Sequence, residues 1–127
     1  MKNDNAIRAS FDVMEAHISA LNAHDESRIA ATLHFPHIRL SDADQKIWET
    51  SDSYFADFRS RAGDNWKRSS FDDIRVVWAS DNKVHLDAQV NRYDSNDEII
   101  ATFRSLWIIT CEHGHWAAKL RSSFAPE

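Results

Sequence analysis

Hydrophobic side chains change their spacing partway along this chain. Through roughly the first sixty residues they recur every three or four positions, and from Trp66 onward they alternate with polar ones. The first stretch predicts a helix from Asn3 or Asp4 to about Asn22, with Ile7, Phe11, Met14, Ile18 and Leu21 in one narrow stripe and Asn3 or Asp4 as N-cap. Asp25 is placed to cap a shorter second helix that buries Ile29 and Leu33, and Pro36 to stop it. His37–Ser41 predicts a short strand with Ile38 and Leu40 on one face, Asp42–Gln45 a turn, and Lys46–Glu49 a return strand. A third helix, capped by Ser51 or Asp52, carries Tyr54, Phe55 and Phe58. Arg59 and Arg61 sit near its end, and Gly63 suits a left-handed stop.

The second half predicts sheet. Trp66–Ala79 is a long strand with a bulge expected around Asp72–Asp73, and Ser80–Lys83 turns it. In Val84–Tyr93, Val84, Leu86, Ala88 and Val90 face one way, while His85, Asp87, Gln89, Asn91 and Tyr93 face the other. Asp94–Asp97 turns again. Ile99–Cys111 is apolar on both faces, with Phe103, Trp107 and Ile109 opposite Ile100, Leu106 and Ile108. His113–Gly114 makes the last turn, and Trp116, Ala118, Leu120, Ser122 and Phe124 alternate to the end. The expected architecture is α+β: three N-terminal helices packed on a strongly curved antiparallel sheet, a cone. Helices cover only one face of such a sheet. The two-sided strand therefore implies a second copy on the other face, a homodimer through the sheet.

A length of 127 residues fits one domain, and 43% hydrophobic with 11% aromatic residues is enough for a core. A net charge of −5 argues against a nucleic-acid partner. With neither a long apolar run nor an apolar leader, the expectation is a soluble, cytoplasmic protein without a membrane partner. Cys111 is the only cysteine, so no internal disulfide forms, and its apolar strand suits a buried, inert thiol.

His34-Phe35-Pro36-His37 entering the first strand, Lys83-Val84-His85-Leu86 opening a middle one, Arg92-Tyr93 closing it, Trp116 after the Gly114 turn and the terminal Arg121–Pro126 carry a resemblance. The chain resembles the nuclear transport factor two-like superfamily, in particular its SnoaL-like branch of small bacterial proteins, over essentially its whole length. The resemblance implies a cystatin-like roll whose cavity lies between the concave sheet face and the helices. That superfamily includes ketosteroid isomerase, polyketide cyclases, scytalone dehydratase and non-catalytic binding modules, so the fold leaves activity open. The tyrosine that ketosteroid isomerase carries on its first helix has no counterpart here, and only Asp42 or Asp44 falls near the place of its base.

Within such a cone the candidate acid–base pair is His85 and Asp87, one pleat apart. Candidate ligand contacts are His37, Trp48, Tyr54, Phe58, Trp66, Arg92, Tyr93, Arg104 and Trp107: aromatics for an apolar body, arginines for a carboxylate or enolate oxygen. The structural alternatives are a solvated or dimer-facing sheet surface for the polar face, plain core for the aromatics and snorkelling surface positions for the arginines. His34 and His37 diverge about Pro36, and His113 and His115 flank a turn, so neither a metal nor a cofactor is expected. The expected function is binding of a small apolar or aromatic ligand, with isomerase, cyclase or dehydratase chemistry by proton transfer. The alternative is a non-catalytic homodimeric interaction or accessory domain.

Overall fold

The computed structural model of the chain describes residues 3–61 and 65–125, so Gly63 and its expected helix stop lie outside the described residues. The element order is α1 (Asp4–Asn22), α2 (Glu26–Ala31), β1 (Leu33–Ser41), β2 (Asp44–Trp48), α3 (Ser51–Arg61), β3 (Arg68–Ala79), β4 (Lys83–Tyr93), β5 (Ile99–Glu112) and β6 (His115–Ser123). The strands form one curved six-stranded sheet in the order β2-β1-β6-β5-β4-β3. Every neighbouring pair is antiparallel except β1 with β6, which runs parallel, a departure from the all-antiparallel expectation. The parallel pair lets the first strand enter beside the last, so the α1–α2 layer folds back over the sheet.

α1 crosses β3, β4, β5 and β6, but its buried stripe is not the predicted one. Ala6, Ser10, Val13, Met14, His17 and Ala20 are buried against the sheet; of the predicted set only Met14 is fully buried, while Phe11 and Leu21 pack against the core at half-burial. Small side chains at Ala6, Ser10 and Ala20 let the helix lie close. A hydrophobicity pattern passes over Ser10 and His17, yet both are bonded internally: the Ser10 hydroxyl donates to Ile7 O at 2.6 Å, and His17 bonds Thr32 at 2.8 Å. Ile18 and Leu21 flank the contact at half-burial, at the edge of the hollow described below.

The caps differ from expectation in detail. Asn3 sits in the left-handed region and donates to Ala79 O instead of capping α1. Asp25 caps α2 by accepting from Arg28 N. That helix ends at Ala31, before Pro36, which lies inside β1. Thr50 caps α3, one residue before the predicted position: its hydroxyl accepts from Ser53 N at 3.2 Å and Ser53 Oγ accepts from Thr50 N at 3.3 Å, a reciprocal box.

Bulges set which face each strand presents. Asp73, at φ 52°, interrupts the β3–β4 register where the sequence suggested. A second irregularity between Ile108 and Ile109, opposite Lys119, changes the phase of β6. Ala118 therefore faces inward before it, and Arg121 and Ser123 do so after it. The Asp42–Ala43 and His113–Gly114 hairpins turn through left-handed residues, as two-residue loops require. Cys111 is a free, half-buried thiol. Among the described residues no helix is long and apolar enough to cross a membrane.

Candidate functional site

β4 shows which face of the sheet is the inner one. Val84, Leu86 and Ala88 are completely buried against the helices, with Val90 beside them. Toward Val90 the helices no longer fill the cone, and a cavity of about 660 Å³ remains. Its walls include His17, Ile18 and Leu21 of α1, Tyr54 and Phe58 of α3, Trp66, Phe71 of β3, Phe103, Ser105 and Trp107 of β5, and Arg121 and Ser123 of β6.

Each wall is held in place from behind. At the mouth, the Asn22 side chain donates to Ser69 O and accepts from Ser69 N, both at 2.8 Å, which ties the end of α1 to the start of β3. Trp66 donates to Ser69 Oγ at 2.9 Å and rests against His24. α3 is fixed over β2 because Asp57 accepts from both Trp48 Nε1 at 3.1 Å and Lys46 Nζ at 3.0 Å. An ion pair between Arg59 and Glu26 joins α3 to α2. Tyr54, only 2% exposed, packs edge-on against Trp48 and Phe55 with ring centres 5.0 and 5.1 Å away.

The floor is where the polar chemistry gathers. Trp107 and Arg121 are register partners on β5 and β6. The Arg121 guanidinium carbon lies 5.4 Å from the Trp107 ring centre and 5.9 Å from that of Tyr54. His17 meets Trp107 edge-on at 5.1 Å and stacks on Phe71. Thr32 gives its hydroxyl proton to Ile29 O at 2.7 Å, so the 2.8 Å contact with His17 requires Nδ1–H to donate to Thr32. Nε2 then keeps its lone pair. Burial, and after it the positive charge of Arg121, lowers the His17 pKa to about 3, so the ring is neutral. His37 is treated the same way and falls to about 2, again through burial first and Arg121 second. It donates from Nδ1 to Ala118 O at 3.0 Å, and its buried Nε2 has no hydrogen-bond partner; neither does the buried Trp107 Nε1.

Among the residues expected at a ligand site, Tyr54, Phe58, Trp66, Arg92 and Trp107 line the cavity. His37 and Trp48 lie one layer behind, stacked on each other beneath Tyr54. Tyr93 and Arg104 point elsewhere: the Tyr93 ring carries Arg68 at 3.8 Å, and Arg104 pairs with Asp87 at 2.8 Å on the outer face. The expected acid–base pair is also on that outer face, because the other phase of β4 is the one the helices bury. Partial burial, and after it Lys83, lowers the His85 pKa, and the Asp87 carboxylate is committed to Arg104. The correction is thus one of geometry, since His85 and Asp87 do not meet the cavity. His17 and Arg121 were passed over, the first for lying on a helix read only for apolar spacing, the second for following a bulge that no pattern marks. Asp44 lines the rim. Among the described residues no three His, Cys, Asp or Glu side chains converge on a metal position.

Neither a protein-family profile nor any curated sequence matches the chain. Solved structures do match it in fold. A protein of unknown function with a cystatin-like fold from Nostoc punctiforme superposes with a TM-score of 0.79 at 11% identity, covering 97% of this chain and 93% of its own. An NTF-2-like protein of unknown function from Shewanella oneidensis gives 0.76 at 11% identity, covering 93% and 98%. ActVI-ORFA from Streptomyces coelicolor gives 0.74 at 14% identity, covering 94% and 96%. The chain has the cystatin-like, NTF2-like cone fold, and these identities speak to fold alone.

Proposed function

We propose that this protein binds a small, mainly apolar molecule in the cone. One observation carries the reading: about 660 Å³ stays open behind aromatic walls while Val84, Leu86, Ala88 and Ile109, in the same core, are packed to zero exposure. Protein interiors close-pack where nothing else is needed, and this volume is of the size that ligand sites have, roughly 300–1,000 Å³. It weighs against an accessory domain whose cone is plugged by its own aromatics. The test fills the hollow. Ala101→Trp places an indole at a half-buried wall position. Two- and three-ring aromatic compounds should raise the Tm of the parent protein and leave that of folded Ala101→Trp unchanged. Equal shifts in both proteins, or none in either, would sink the reading.

Proton transfer without a cofactor is a second reading, and His17 is the observation favouring it. Its neutral imidazole presents an unprotonated Nε2 to the cavity, and a bound anion that offsets Arg121 would strengthen it as a base for a proton beside a carbonyl. Arg121 stands close enough to depress that imidazole, and would serve the developing oxyanion. The outer face supports one further proposal, a homodimer through the sheet. Trp78 of β3, the register partner of His85, is exposed there at 76%, and Leu106, Ile108 and Leu120 are only half-buried.

A further inference from the structure

Several cations in this fold are answered by an acid. Lys46 has Asp57 at 3.0 Å, Arg68 has Asp97 at 3.0 Å, and Arg104 has Asp87 at 2.8 Å. Arg121, half-buried on the cavity floor, has no carboxylate within ion-pair distance among the described residues. Its polar contacts are two long hydrogen bonds, 3.4 and 3.5 Å, donated to the Tyr54 hydroxyl. A guanidinium carries five N–H donors in a fork that fits a carboxylate in two places. Among the described residues this fork has one weak acceptor.

The surroundings keep the charge unanswered. Both buried imidazoles near Arg121 are forced neutral, in part by its own field, so they do not compete for an anion and do not add a second positive charge. Asp44, the single acid among the described lining residues, is exposed at the rim on the first residue of β2. Arg121 lies half-buried beside the rings of Tyr54 and Trp107, and partial withdrawal from water strengthens any charge-assisted bond made there. Resting on the reading that the cone holds a small ligand, we infer that this ligand is an organic anion. It is an aromatic or alicyclic carboxylate whose oxygens take the Arg121 guanidinium and whose rings lie among Tyr54, Phe58, Phe71 and Trp107. The Arg121 fork suits a carboxylate, and the aromatic walls suit a body of fused rings.

Calorimetry with 2-naphthoate and its neutral methyl ester separates the two layers of this reading. On the parent protein at pH 7.5 the acid should bind at least about tenfold more tightly than the ester, the scale of one charge-assisted pair. Arg121→Gln should weaken naphthoate by about tenfold to a hundredfold and leave the ester within about threefold, and Arg121→Lys should recover part of the loss. If acid and ester bind the parent protein equally, the cavity stands and the anion assignment falls. If neither binds, the cavity reading falls and takes the assignment with it. Should circular dichroism show Arg121→Gln unfolded, the acid-to-ester ratio on the parent protein decides alone.

Discussion

The two faces of β4 share one backbone and meet opposite surroundings. On the inner face, Val84, Leu86 and Ala88 are sealed under α1. On the outer face, Asp87 pairs with Arg104, and Asn91 donates to Asp72 and accepts from Thr102 at 2.7 Å, within a polar network that spans β3, β4 and β5. The His85–Asp87 pair thus lies on the face away from the hollow, and the hollow is lined largely by aromatics, with the Arg121 guanidinium on its floor. The lesson is that a His–Asp pair one pleat apart is a statement about a face. It becomes a statement about chemistry only when that face borders a cavity. Here the tethered pair contributes to the sheet surface, and the imidazole that does border the cavity, His17, arrives from the helix layer.

The contrast breaks most visibly in the core. Leu86→Ala removes a completely buried side chain and leaves a void, so it should cost about 2–5 kcal/mol in chemical denaturation. A cost under about 1 kcal/mol would mean that the inner face is not sealed. A smaller effect comes from the buried imidazoles. His17 and His37 have pKa values lowered to about 3 and about 2, so the unfolded chain binds protons that the native one refuses. Their contribution is intact above pH 6.5 and drains away as pH falls from there toward the folded values. Between pH 7 and pH 5 each should remove up to about 2 kcal/mol. His17→Asn should flatten that slope, measured as denaturation midpoints across the range. A slope unaltered by the substitution would show that His17 is already protonated or exposed. Naphthoate, by offsetting the Arg121 charge, should raise the His17 pKa as followed by imidazole resonances.

Much of the fold was legible in residue spacing. The three helices, the hairpin turns and the bulge near Asp73 follow from apolar spacing, the Asp25 cap, alternation and residues that tolerate a left-handed backbone. The parallel β1–β6 pair was not legible, because pairing partners far apart in sequence leave no local mark. Aromatic lining residues such as Tyr54, Phe58, Trp66 and Trp107 were accessible to reasoning because large rings cluster where a cone narrows. Arg121 was not. The bulge opposite Lys119 shifts β6 by one residue, and a one-residue shift exchanges the two faces. His17 stayed hidden for a different reason: its burial is permitted by Thr32, fifteen positions away, and a periodicity count does not register a hydrogen bond.

The smallest predicted effect tests the outer face. Gln89 lies on that face at half-burial, beside the Asp87–Arg104 pair. If that surface simply meets water, Gln89→Ala should change stability by no more than about 0.5 kcal/mol, the same at every protein concentration. If a second copy covers it, as the exposed Trp78 and the two-sided β5 suggest, the substitution acts on an association equilibrium. Its cost then grows with concentration, because the native state is stabilised by mass action. Denaturation at about 1 and 100 μM, together with sedimentation of the parent protein, distinguishes these cases. A monomeric mass and a concentration-independent midpoint would dismiss the homodimer. They would leave the cavity untouched, since His17, Trp107 and Arg121 all lie on the opposite side of the same sheet.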